Sequence, residues 1–158
     1  MEGALVAAAA LWLNGKKPLL MDLRTTNKDT DHVVALFKVG GYWGAISKTN
    51  HAVLRYRDPI YKTLRELALS YFHEYFLSKD GTKTLREYSH AFDLSRLGSE
   101  WVATEKNLQS IANDLDYARH YPLLPHARRN KKTRLRKASK IEIQAGKLVE
   151  WATRHKGT

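Results

Sequence analysis

Apolar residues in the first part of the chain recur at helical spacing. Ala4, Leu5, Ala8, Leu11 and Trp12 share one stripe of residues 2–13, and Asn14-Gly15 supplies a C-terminal stop. Three runs with strand character follow. Pro18 to Arg24 is the first, and the polar stretch Thr25 to Asp31 ends it. His32 to Val39 is rich in β-branched and aromatic residues, Gly40-Gly41 is a hairpin turn, and Tyr42 to Ser47 returns antiparallel. A helix followed by a small antiparallel sheet predicts a layered α+β domain with further helices toward the C-terminus.

Lys48 to Asp58 reads as a polar connection, with Asp58-Pro59 as a helix entrance. From Ile60 to Leu77 the residues Ile60, Leu64, Leu67, Ala68, Tyr71, Phe72, Tyr75 and Phe76 keep helical spacing, which predicts one long helix. Lys83 to Leu94 fits either a short strand or an irregular cover. Thr104-Glu105 opens a further helix whose apolar face is Leu108, Ile111, Ala112, Leu115 and Ala118, and Pro122 and Pro125 break the chain after it. Ile141, Ala145, Leu148, Trp151 and Ala152 form a last amphipathic stripe, expected to dock on the body. The expected division is a domain over 1–125 and, over 126–158, a basic segment with its helix. Trp12, Trp43, Trp101 and Trp151 are read as packing residues.

Composition changes this picture in two places. The 158 residues are 43% hydrophobic and 27% charged, the profile of a chain that folds around a core, and they contain no cysteine. Disulfides and thiolate metal sites are thereby excluded within them. The net charge of +11 resembles a nucleic-acid signature until it is divided. Residues 126–158 hold 11 Lys and Arg against 2 Asp and Glu, which accounts for +9, so the body is nearly neutral. The basic run Arg128 to Lys140 has no interleaved aromatics for base stacking and no evident recognition helix. It reads as a solvated linker or a face that pairs with acidic groups, and nucleic acid is not an expected partner. No stretch approaches the ~20 apolar residues of a membrane span. Glu2 stands where a signal peptide carries positive charge, so the expected location is cytoplasmic.

A family comes into view on longer runs: Glu2-Gly3-Ala4-Leu5, Pro18-Leu19-Leu20-Met21-Asp22-Leu23, Asp31-His32-Val33-Val34-Ala35-Leu36-Phe37, and above all Trp43 to Arg57. Together they resemble a bacterial branch of the transglutaminase-like superfamily, related in fold to papain-type cysteine peptidases, over roughly residues 2–94. The resemblance implies acyl-transfer, peptidase or amidase chemistry on a peptide or protein substrate, without a cofactor. It implies a cysteine nucleophile at the start of the first helix, where helix-end amides lower a thiol pKa. It also implies a histidine base and a polar residue that orients the imidazole.

Carried over by position, His32 is the base, and Ser47 and Asn50 are candidates for its orienting partner. The nucleophile falls just before Met1. The expectation is therefore a truncated or inactive thiol enzyme, with a non-catalytic peptide- or protein-binding module as the alternative reading and a nucleic-acid-associated protein using the basic run 128–140 as the weaker third. Asp29 and Asp31 are expected to end a turn, and His51 to be a loop residue. His73 and Glu74, adjacent on the expected helix, do not face one another, and no second histidine stands at metal spacing, so zinc is not expected there.

Overall fold

The computed structural model describes residues 1–49, 52–103, 108–125 and 135–146. Within them the chain forms α1 (Glu2–Leu13), β1 (Leu19–Arg24), β2 (His32–Val39), β3 (Tyr42–Ile46), β4 (Tyr56–Tyr61), α2 (Leu64–Tyr71), β5 (Glu87–Ser89), β6 (Phe92–Asp93), α3 (Leu108–Tyr117), β7 (His120–Pro122) and α4 (Lys140–Gly146). The strands make one antiparallel sheet in the order β4-β3-β2-β1-β5-β7, with β6 also paired to β1. The fold is α+β, as its pattern implies.

Alternation along the central strands gives the sheet two apolar faces. Met21, Leu23, Val34, Leu36 and Ala45 pack under Leu67, Ala68 and Tyr71 of α2. Leu20 and Ala35 face the other way, onto Ala4, Leu5 and Ala8 of α1 and Ile111 and Leu115 of α3. Burial on both faces explains why β1 reads as a near-continuous apolar run. On the α1 side, Trp12 and Trp101 stack with centroids 5.8 Å apart and planes 7° from parallel. Trp43 lies under the Lys38 ammonium, 4.1 Å from its ring centroid; Trp151 is outside the described residues. The β2–β3 turn sets Gly40 and Gly41 at φ 58° and 87°, a conformation that favours glycine and suits a tight hairpin.

The long helix expected from Ile60 to Leu77 is not one element. Tyr56–Tyr61 is instead the edge strand β4, where Pro59 costs no interior ladder bond. Helix α2 begins only after Thr63, whose side chain accepts from Glu66 N–H, while the Glu66 carboxylate accepts from Lys62 N–H. It ends at Tyr71, and the chain turns through Phe72–Glu74 to bring Tyr75 inward. Period alone could not separate these pieces because Ile60 and Leu64 keep helical spacing by coincidence.

Elsewhere the ambiguous region resolves into the short strands β5 and β6. The Thr104-Glu105 opening lies outside the described residues. Of the last stripe, Ile141 is 78% exposed and Ala145 lines a cavity of the body, and the segment also meets the body through Ala138, packed on Gly81 with its N–H donating to the Gly81 carbonyl at 2.8 Å. Leu148, Trp151 and Ala152 of that stripe are outside the described residues.

Candidate functional site

His32 opens β2 and pairs in register with Leu23 of β1. Cross-strand partners share a face, so the imidazole stands on the α2 side of the sheet. Ser47 follows β3 on the same face, and its Oγ lies 3.0 Å from His32 Nε2. The buried hydroxyl also donates to the Leu54 carbonyl at 3.0 Å, and the Ser47 N–H donates to the Arg55 carbonyl at 2.8 Å.

This arrangement fixes the tautomer. A hydroxyl has one proton, and Ser47 spends it on Leu54 O, so Oγ accepts from His32 Nε2–H. Nδ1 is then the basic nitrogen of the neutral ring. The polarity is the reverse of a serine nucleophile's, which would have to give its proton to the imidazole.

The ring forms part of the wall of a cavity of about 330 Å³. Leu54, Val53 and Phe76 supply apolar wall, and Asp29, His73 and Glu142 supply polar atoms. Tyr75 closes one side: its ring centroid is 6.3 Å from that of His32, and its hydroxyl donates to the Thr30 carbonyl at 2.9 Å. Burial, together with the charges of Asp29, Asp31 and Asp22, pushes the Tyr75 phenol above its usual range, so it remains a neutral donor.

The carboxylates nearby have internal partners. Asp29 accepts from Thr84 Oγ1 and Thr30 N–H, and Asp31 from the Thr25 N–H and hydroxyl, the turn-closing work expected of them. Glu74 pairs with Arg57, whose guanidinium lies over the Tyr71 ring. Glu142 accepts from Arg136 and from Ser139 N–H, and these donors hold its carboxyl at about 2.

The start of α1 reaches the end of β3 from the opposite face of the sheet. A Cβ on Gly3 would collide with the Lys48 side chain, one residue beyond Ser47. Of the expected partners of His32, Ser47 stands beside it, while Asn50 and His51 lie outside the described residues.

Three relationships escaped the sequence reading. His73 Nδ1 receives the buried Lys83 ammonium at 2.8 Å, and Tyr75 binds Thr30. Asp22 and His120 pair on the opposite face. Only Asp22 carried a signal, as a lone acid in the apolar run of β1. Oxygen atoms of Asp22, Asp31 and Asp116 come within 4.8 Å of one another, but Asp22 is committed to His120 and Asp31 to Thr25. Among the described residues no helix is long and apolar enough to cross a membrane.

Compared with known proteins, the sequence matches no family model and no curated protein sequence.

Proposed function

We propose that the His32 cavity is an acyl-transfer site of transglutaminase-like type, with His32 as base and Ser47 as the residue that orients it. The observation that carries this reading is the relay from His32 Nε2–H through Ser47 Oγ to Leu54 O, set in the wall of a cavity. In such chemistry Nδ1 takes a thiol proton, the thiolate attacks an amide carbonyl, and the imidazolium returns the proton to the departing amine. Water or a second amine then releases the acyl group from the thioester.

These 158 residues hold no cysteine, so the thiol would come from outside them. The alternative reading is a peptide- or protein-binding module, in which the same cavity is a cleft for a peptide or acyl group. Its wall suits either role, since it carries both apolar and hydrogen-bonding side chains.

The test is a chain extended by one cysteine immediately before Met1. Its alkylation by iodoacetamide should titrate below the ordinary thiol value of about 8.5, and His32→Ala should return it to that value. A thiol that titrates ordinarily in both forms overturns the catalytic reading.

A further inference from the structure

Most polar groups around the cavity are engaged within the protein. Tyr75 donates to Thr30, His32 to Ser47, and Asp29, Glu74 and Glu142 each accept from neighbouring donors. His73 differs. It is exposed in the cavity wall, only its Nδ1 is engaged, and among the described residues its Nε2 has no hydrogen-bond partner.

Its partner is unusual. Lys83 is 5% exposed, with its ammonium 2.8 Å from His73 Nδ1 and 5.5 Å from the Phe72 ring centroid. Among the described residues it has no carboxylate within ion-pair distance. Burial and the Arg136 charge pull its pKa down, while the Glu142 charge opposes them. An ammonium has only donors, so Nδ1 must accept and the ring proton must sit on Nε2. His73 is thereby held as a single tautomer, and a cation behind it strengthens its outward N–H as a donor.

We propose that His73, backed by Lys83, is an oxyanion-binding element of the His32 cavity, and that its ligand is the carboxylate or polarised carbonyl oxygen of an acyl group. The aliphatic part of that ligand lies against Val53, Leu54 and Phe76. The assignment rests on the acyl-transfer reading for its catalytic meaning, where the same donor would meet the oxygen on which negative charge develops. As a binding site it stands on the cavity and the two side chains alone.

The experiment titrates the unextended chain with sodium butyrate and follows the imidazole resonances by ¹H–¹⁵N correlation. In the free protein His73 should show Nε2 protonated and Nδ1 unprotonated. Butyrate should shift the His73 signals saturably, and Lys83→Met should weaken binding roughly tenfold, the loss expected for a charge-assisted bond. Because Lys83 is buried, the exposed His73→Leu serves as the second variant and should weaken binding similarly. An Nδ1–H tautomer, no saturable shift at His73, or unchanged affinity in a folded variant overturns the proposal. No thiol takes part, so failure here is distinct from failure of the extended chain to activate its cysteine.

Discussion

Asp22 and His120, 98 residues apart in sequence, meet inside the protein with Oδ2 and Nε2 3.0 Å apart and side chains 3% and 4% exposed. His120 Nδ1 faces the Ala118 carbonyl at 2.7 Å, and a carbonyl only accepts, so that nitrogen carries a proton. The Asp22–Nε2 contact then shares one further proton. Burial raises the Asp22 carboxyl above its ordinary 3.8, the His120 hydrogen bond opposes that rise, and the Asp31 charge adds to it.

The sign of the pH dependence follows. Below 3.8 Asp22 is neutral whether the chain is folded or unfolded. As pH rises, the unfolded chain ionises first, so the folded state holds more protons and this group's contribution to stability falls. The fall ends once the folded carboxyl has ionised. Asp22→Asn keeps the size of the side chain and lacks this titration. Urea denaturation across pH should show the wild type losing stability relative to Asp22→Asn as pH rises from about 4. A difference that is flat or slopes the other way refutes the assignment. Asp22→Ala, which strands the buried imidazole, should cost roughly 3–5 kcal/mol.

The His32–Ser47 relay makes a separate prediction. Ser47→Ala removes the acceptor of His32 Nε2–H and the donor to Leu54 O together. Two neutral hydrogen bonds at ordinary strength put the cost at about 1–2 kcal/mol. The informative readout is the ring itself: ¹⁵N shifts of His32 should move from an Nε2–H tautomer in the wild type toward a mixture in Ser47→Ala. Ser47→Thr, which keeps the hydroxyl, should retain the wild-type tautomer. A ring whose tautomer ignores position 47 is not oriented from there.

The first three strands were legible in the sequence because their signals are local. β1, β2 and β3 alternate or run apolar over short stretches, and Gly40-Gly41 joins two of them. His32 and Ser47 come together because β2 and β3 pair antiparallel and both residues fall on the α2 face. What stayed hidden depends on long-range pairing. Asp22 meets His120 only because β5 lies between β1 and β7 in the sheet. Lys83 reaches His73 because the chain turns back between them, where Phe76 bridges to Lys83. The break between β4 and α2 was hidden for another reason: the Thr63 cap competes with an apolar spacing that continues across it.

The segment carrying α4 contributes Glu142 and Ala145 to the cavity wall, and its attachment to the body can be tested. Two contacts hold it near Gly81: the Ala138 N–H to the Gly81 carbonyl at 2.8 Å, and Lys137 Nζ to Asp80 Oδ2 at 2.9 Å. Gly81 has φ +72°, and a Cβ there would come within 2.5 Å of the Ala138 oxygen. Gly81→Ala is therefore strained twice, and hydrogen exchange at the Ala138 amide should accelerate at least about tenfold. Lys137→Ala removes the exposed ion pair but leaves the Thr82 bonds to Asp80, and should accelerate that exchange only about two- to threefold.

Acid should loosen the same attachment. The Lys137 and Thr82 hydrogen bonds hold the Asp80 carboxyl well below its ordinary value. A lowered folded-state pKa stabilises above the unfolded value of 3.8 and is lost as pH falls from there toward the folded value. Protection at Ala138, corrected for intrinsic exchange, should hold from neutral pH down to about 4 and then decline. In Asp80→Asn that acid-specific decline should be absent. Protection that falls equally in both proteins would mean that Asp80 does not control the attachment.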